Sequence, residues 1–210
     1  MKIEGEHLLN GPRNDVWIMF RDPDVLASAL PGTQNINKIS DTEFDVTMNV
    51  RVGPVSGIFT GKLVISNEVP PESCTLTADG RGGPGFVKGF GNVNFTDKGD
   101  QTTLLKYDGE FQIGGTIASV GQRMIDSVAK SMIRQGFEVF DKTLEARLAA
   151  KAGQEILYKP PSETQFAAAV AKDMTKSWMQ IAEVRMLLYV IPVGIVLALI
   201  GLLLSQCTGK

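Results

Sequence analysis

The sequence predicts an α+β domain in which about seven antiparallel strands wrap around one long helix. Apolar residues recur every three or four positions over residues 117–148, which places them along one face of a helix. Before that stretch, short runs alternate apolar with polar residues, as half-buried strands do. A helix of roughly 45 Å needs a large apolar partner, and the predicted sheet is the partner that the chain offers.

Length, charge and residue usage exclude several classes of function. The chain has 210 residues, 43% of them hydrophobic, and a net charge of -2, which argues against disorder and against a nucleic-acid partner. It has one histidine, and its two cysteines do not form a CxxC motif, so the sequence predicts no metal site and no disulfide. The N-terminus lacks the apolar run of a signal peptide.

The first elements are a strand and two short helices. Residues 2–10 alternate apolar with mostly polar side chains, which predicts the strand. The helices are predicted over residues 16–20 and 25–30, because Asp22-Pro23 breaks the pattern between them and Pro31-Gly32 stops the second.

Six further strands are predicted before the long helix, joined by short turns rich in glycine and proline. Hairpin connections of this kind produce an antiparallel meander. Residues 82–85 are predicted to form a loop, and we interpret the glycine-rich segment 80–86 as a mobile loop that gates the mouth of a cavity. The predicted strands cover residues 35–40, 44–52, 55–65, 74–80, 87–95 and 105–113.

The C-terminal region predicts a membrane anchor. Residues 186–205 contain no charged side chain, and about 20 such residues cross a bilayer as a helix; a buried core helix is the alternative. More lysine and arginine precede this run than follow it, so the N-terminal part should lie in the cytoplasm, with the chain a single-pass protein of the cell membrane. Cys207 is either a free thiol or an acylation site.

These features divide the chain into four parts. A folded domain covers residues 1–148, a partly helical linker or stalk covers 149–185, the transmembrane anchor covers 186–205, and a short tail covers 206–210. Within the linker, Ser162 and Gln165 have the spacing of a capping box at the start of a helix.

Seven glycines at inward strand positions suggest where a ligand would bind: Gly5, Gly57, Gly61, Gly80, Gly89, Gly91 and Gly109. Two interpretations remain open. The glycines either leave an apolar cavity between sheet and helix for a lipid-like or aromatic ligand, or they only let the sheet curl. If a cavity exists, its predicted lining is His7, Met48, Phe59, Phe95, Tyr107, Phe111, Met124, Val128 and Met132.

The sequence contains no catalytic constellation. His7 has the parity of an inward residue on the first strand, where it either hydrogen-bonds a polar group of a ligand or is a satisfied core histidine. The segment Gly80–Phe86 lacks the GxxxxGK[ST] pattern and no helix follows it, so it is not a phosphate loop.

The order of strand, two short helices, six strands and long helix resembles the helix-grip order of the START-like (SRPBCC) superfamily. Within it, the chain is most similar to the CoxG family of carbon monoxide dehydrogenase accessory proteins over residues 1–148. The residues that carry this resemblance are Val16-Trp17, Asp22-Pro23, Leu26-Ala27, Leu30-Pro31-Gly32 and the glycines between Gly80 and Gly91.

The resemblance implies a non-catalytic protein that recruits a molybdenum-containing CO dehydrogenase to the membrane. It also implies a bound quinone, menaquinone or ubiquinone, that couples the enzyme to the respiratory chain. No covalent cofactor and no catalytic residue follow from it. His7 departs from the aromatic residue that we expect there in relatives. The alternatives are a structural adaptor without a ligand and a START-like enzyme acting on a hydrophobic substrate.

Overall fold

The computed structural model describes residues 1–30, 32–52, 55–154, 158–159, 161–162, 165 and 168–172. Residues Met1–Ala171 form one compact unit. In chain order the elements are β1 (Lys2–Leu9), α1 (Arg13–Phe20), α2 (Pro23–Ala29), β2 (Thr33–Lys38), β3 (Glu43–Val52), β4 (Val55–Val69), β5 (Ser73–Gly82), β6 (Gly85–Gly99), β7 (Thr102–Gly114), a 3-10 helix (Thr116–Val120) and α3 (Gln122–Lys151).

The seven strands form one antiparallel sheet with the order β1-β7-β6-β5-β4-β3-β2. Strands β2 to β7 are a meander, and β1 returns to pair with β7 at one edge. Odd-numbered residues of β1 and β7 face the inner side, so that His7 lies opposite Leu105 and Gly5 opposite Tyr107. The predicted α+β class, with an antiparallel seven-stranded sheet and one long helix, is confirmed.

The main apolar core lies where α1, α2 and the C-terminal half of α3 meet the sheet. Trp17 and Phe20 of α1 both pack edge-on against Phe95 of β6, with ring centroids 5.6 and 5.2 Å apart. From α3, Leu144 reaches into the same cluster and is 1% exposed. A Cβ on Gly11 would lie 2.9 Å from Cδ2 of Leu144, so a larger residue there would require this side chain to shift.

Helix α2 is held at its start by Asp22. The Asp22 carboxylate accepts a hydrogen bond from the Asp24 N–H at 2.9 Å, and Pro23 occupies the first helical position. The other carboxylate oxygen accepts from the Arg147 guanidinium of α3 at 2.5 Å. One side chain therefore caps α2 and ties it to α3.

The prediction of one continuous helix from residue 117 is wrong at its N-terminal end. Residues Thr116–Val120 form a 3-10 helix, and α3 begins only at Gln122. Gly121 lies between them at φ +90°, a backbone conformation that suits glycine and interrupts the α-helix. Apolar spacing alone carries no information on this break.

The predicted loop at residues 82–85 is instead a tight hairpin turn. Gly82 pairs with Gly85, so β5 and β6 continue to the turn itself. The Pro84 carbonyl accepts two hydrogen bonds of 2.9 Å, from the Ile117 N–H and from the Thr116 hydroxyl. The turn is thereby fastened to the 3-10 helix.

Helix α3 ends in a Schellman motif. Gly153 has φ +78°, the Gln154 N–H donates to the Ala149 carbonyl at 2.9 Å, and the Gly153 N–H donates to Ala150 at 3.1 Å. The predicted capping box is confirmed, because Ser162 and Gln165 exchange side-chain to backbone hydrogen bonds of 3.0 and 3.4 Å.

Among the described residues, no helix combines the length and the apolar character needed to cross a bilayer. The predicted anchor at residues 186–205, the tail at 206–210 and Cys207 lie outside the described residues. The division of the chain at residues 148, 185 and 205 stays a prediction.

Candidate functional site

Six adjacent positions on the inner face of β4–β7 carry almost no side chain. We call this set the glycine floor: Gly61, Ala78, Gly80, Gly89, Gly91 and Gly109. In the strand register, Gly61 lies opposite Gly80, Ala78 opposite Gly89, and Gly91 opposite Gly109. Three interstrand spacings and four residues along a strand give the floor an area of roughly 14 by 13 Å.

Three of these glycines are required by the close approach of neighbouring strands. A Cβ on Gly61 would lie 2.5 Å from the Gly80 Cα, one on Gly89 would lie 2.6 Å from the Phe111 ring, and one on Gly109 would lie 2.7 Å from the Phe90 carbonyl oxygen. Real Cβ atoms do not approach so closely. At these positions glycine lets the sheet curl, as one of the two interpretations of the sequence predicts.

Gly80 has a different role. A Cβ built there meets only the Val87 carbonyl oxygen, at 3.9 Å. Its backbone does not have a positive φ, so neither conformation nor crowding requires a glycine. The inward side of Gly80 therefore has room for at least a methyl group. The curling interpretation fits the three crowded glycines, and the ligand cavity stays a prediction, which the room at Gly80 favours.

The floor separates two apolar clusters. The larger is the core beneath α1 and α2, and the smaller contains Phe59 and Ile117 with Val50, Ile113 and Val120 packed against them. Between the clusters, the inward side chains of Val87 and Phe111 are only half-buried. The concave face is thus packed at both ends and incompletely covered at the floor.

The predicted lining residues divide between these regions. Around the floor lie Met48 and Phe111, both half-buried. Tyr107 is also half-buried and packs against the larger cluster at the β1 side of the floor. Phe59 belongs to the smaller cluster, and Phe95 lies inside the larger one against Trp17 and Phe20, where it is a core residue.

Helix α3 supplies the remaining predicted lining residues. It begins beside the smaller cluster and its C-terminal half packs into the larger one. Its N-terminal half therefore spans the distance between the two clusters. Met124, Val128 and Met132 lie in that half, with Val128 buried and both methionines half-buried.

His7 is already bonded within the protein. Its Nε2 atom lies 2.6 Å from Oδ2 of Asp141, and its ring stacks on Phe137 with centroids 4.8 Å apart and planes 6° apart. This arrangement favours the interpretation of His7 as a satisfied histidine of the structure. Sequence reasoning missed Asp141, although it lies four residues after Phe137 and so shares its helical face.

Tyr107 completes this group of side chains at the β1 edge of the floor. Its ring lies 5.6 Å from that of Phe137 and tilts by 39°. It crosses the inner face of Gly5, where a Cβ would be 2.7 Å from the Tyr107 Cζ atom. Burial raises the pKa of the Tyr107 hydroxyl above its ordinary value of 10.0.

The opposite, outer face of the sheet has a shallow depression of different character. Polar side chains line it, and cross-strand ion pairs join Lys88 to Asp79 at 2.8 Å and Lys2 to Glu110 at 3.2 Å. Such a surface suits solvent more than an apolar ligand. Within the part of the chain that the structure describes, no three histidine, cysteine or acidic residues are grouped as metal ligands.

The model of the CoxG family, whose members are described as a subunit of carbon monoxide dehydrogenase, matches residues 5–145. The chain belongs to the CoxG family. The resemblance inferred from the sequence is thereby confirmed. None of the curated proteins matches the chain.

Solved structures similar to this CoxG-family chain share its fold. A conserved protein from Geobacillus kaustophilus has 28% sequence identity and a TM-score of 0.67, with 69% of this chain and 95% of that chain covered. The Zhui aromatase/cyclase from Streptomyces sp. R1128 has 15% identity and a TM-score of 0.56, covering 73% and 98%. A START superfamily protein from Mycobacterium smegmatis has 10% identity and a TM-score of 0.54, covering 69% and 97%. The fold is START-like.

Proposed function

We propose that this CoxG-family chain is a non-catalytic accessory protein of a molybdenum-containing CO dehydrogenase and that its concave groove binds a quinone. The observation that carries the proposal is the open glycine floor. At Gly80 the groove has room for a side chain that the sequence does not supply. Apolar residues line both ends of the groove, as in most sites for small hydrophobic ligands.

The chemistry of a quinone suits this groove. Its ring system is flat and apolar and can lie against a floor of backbone and small side chains, while its two carbonyls need only a few polar partners. The dehydrogenase named by the family would pass electrons to such a carrier, because a soluble enzyme must reach the respiratory chain through a mobile acceptor.

The uncharged run at residues 186–205 would keep the domain at the membrane, on its cytoplasmic side. Tethering raises the effective concentration of a module at its target without any new contact. A quinone dissolved in the bilayer and an enzyme bound to the domain would then meet at one place.

The test starts with the full chain purified in mild detergent from the membranes of its own cells. Mass spectrometry of the released lipids should find a quinone in near-stoichiometric amount, and the emptied protein should take up added menaquinone. If no quinone is released and the protein takes up no added menaquinone, ligand binding is contradicted. Fractionation of cells with and without residues 186–205 tests the anchor, and co-purification of the dehydrogenase from detergent extracts tests the partner.

A structural adaptor without a ligand is the second candidate, because the larger cluster fills the concave face beneath α1 and α2. A variant that fills the remaining space separates the two. If Gly80→Leu still recruits the dehydrogenase and still supports electron transfer to the membrane, the adaptor is the better account. If recruitment persists but electron transfer stops, the groove carries the quinone.

A further inference from the structure

We propose that the hydroxyl of Tyr107 recognises a carbonyl oxygen of the ligand, so that the groove selects apolar molecules that carry a hydrogen-bond acceptor on the ring. This inference rests on the proposed function and names the residue that sets the chemical class of the ligand.

Tyr107 lies close enough to the glycine floor to contact a ligand bound there. It lies on β7 one row from the glycine floor, since Gly109 is the next inward residue along the same strand. Its hydroxyl lies across β1 because Gly5 has no side chain to block it. Gly5 and Gly109 are diagonal neighbours, about 7–8 Å apart in such a pair of strands. The hydroxyl thus lies over the edge strand β1, one diagonal step beyond Gly109, and a ligand ring that extends from the floor over Gly109 would reach it.

The hydroxyl of Tyr107 also lacks a hydrogen-bond partner within the described part of the protein, and it is not sealed from contact. Other polar side chains on the inner face are engaged: Thr103 donates to the Gly11 carbonyl at 2.8 Å, and His7 pairs with Asp141. Without a ligand, water can reach this hydroxyl, and a ligand oxygen that extends from the floor over Gly109 would take the place of that water as the acceptor.

The Tyr107 ring is held in place before any ligand binds. Asp141 bonds to His7, His7 stacks on Phe137, and Phe137 contacts the Tyr107 ring. A donor fixed in this way loses little conformational freedom on binding. The pair of His7 and Asp141 is thereby a positioning pair for Tyr107.

The chemistry of the hydroxyl selects the ligand class. Burial raises its pKa above 10.0, so it remains a protonated, neutral donor at physiological pH. A neutral phenol matches a neutral carbonyl acceptor, whereas a hydrocarbon has no group to offer it.

The test uses two ligands that differ only in the acceptor. Menadione is a methylated naphthoquinone, and 2-methylnaphthalene has the same fused rings and methyl group without either carbonyl. Equilibrium dialysis with the full chain in detergent gives both dissociation constants for the wild type and for Tyr107→Phe. We expect the variant to weaken menadione binding by about 2- to 12-fold, the range for one hydrogen bond, and to leave 2-methylnaphthalene binding unchanged.

The possible outcomes separate the two proposals. If the wild type binds menadione and Tyr107→Phe binds it equally well, or loses affinity equally for both ligands, the role of the hydroxyl is refuted while the groove stands. If the wild type binds neither ligand, quinone binding itself fails.

A second measurement reports the hydrogen bond itself and does not depend on affinity. In the wild type, the infrared carbonyl stretch of bound, 13C-labelled menadione should lie at lower frequency than in the variant, because a hydrogen bond weakens the C=O bond. Identical frequencies in the two proteins would overturn the proposal.

Discussion

Replacing Gly80 by leucine should close the groove without unfolding the domain. The position is suitable because a Cβ there meets only one atom, at 3.9 Å, and the backbone has no positive φ. Glycine within a strand is less favourable than alanine by about 0.5–1 kcal/mol, and a half-buried leucine adds apolar burial. We therefore expect the free energy of unfolding to rise by about 1–2 kcal/mol, which corresponds to a Tm increase of roughly 2–8 °C.

The same side chain should weaken ligand binding. A leucine at the floor removes on the order of 50 Å² of apolar contact between ligand and protein, which at about 25 cal/mol per Å² amounts to about 1.3 kcal/mol, or roughly tenfold in Kd. Displacement of the ring from Tyr107 would increase the loss. Differential scanning fluorimetry and equilibrium dialysis with menadione measure the two effects on one preparation.

Two control variants locate the effect. Gly80→Ala adds only a methyl group and should raise Tm slightly with little loss of affinity. Gly61 faces Gly80 directly, yet Gly61→Ala should destabilise the protein because its Cβ would lie 2.5 Å from the Gly80 Cα. If Gly80→Leu is stable and binds menadione as tightly as the wild type, the ligand does not lie on the floor. If Gly80→Leu itself unfolds the protein, the space at that position is not open.

Three further predictions concern stability and use chemical unfolding of the intact chain in detergent. Asp22→Ala should lose about 1–2 kcal/mol of stability through the missing helix cap. Burial of the Asp22 carboxyl opposes its ionisation, but hydrogen bonds from Arg147 and the α2 N–H groups outweigh burial and lower the pKa of Asp22 below 3.8. The stabilisation is therefore present above pH 3.8 and should fade as the pH falls through the lowered pKa, and an equal difference from wild type at pH 7 and pH 2 would contradict this. Thr103→Val should cost about 1–3 kcal/mol, because the fully buried hydroxyl donates to the Gly11 carbonyl at 2.8 Å; an unchanged midpoint would show that the bond adds nothing. Leu144→Ala should cost about 2–5 kcal/mol, since this side chain is 1% exposed in the larger cluster, and a loss below 1 kcal/mol would mean that the core closes over the cavity.

The architecture could be predicted because its signals are local and repeated. Alternation along β3 and the three-to-four spacing along α3 each extend over many residues, so single exceptions do not hide the pattern. Helix ends are set by single residues. The start of α3 was missed because Gly121 interrupts a stretch whose apolar spacing continues across the break.

The site was predicted less completely because it depends on which residues meet across the sheet. Gly61 and Gly80 look alike in the sequence, because both are inward glycines in strands whose residues alternate between apolar and polar. Only the coiling of the sheet leaves no room for a Cβ at Gly61 and leaves room for one at Gly80. The bond between His7 and Asp141 joins residues 134 positions apart, and no local pattern carries that pairing. Phe95 has the inward parity of a lining residue, but the packing of α1 makes it core.

The division of the concave face into a packed part and an open part explains how one small domain can be stable and still offer a groove. A glycine in a strand interior costs about 0.5–1 kcal/mol relative to alanine. Because Gly61, Gly89 and Gly109 leave no room for a Cβ, this cost applies at Gly80, where a Cβ would fit. The larger cluster offsets this cost with Trp17, Phe20, Phe95 and Leu144, all at most 9% exposed. Because the stabilising side chains pack beneath α1 and α2 and the floor lies on β4–β7, substitutions in the core should change the free energy of unfolding without changing ligand affinity. A larger residue at Gly80, by contrast, should lower ligand affinity while it raises stability.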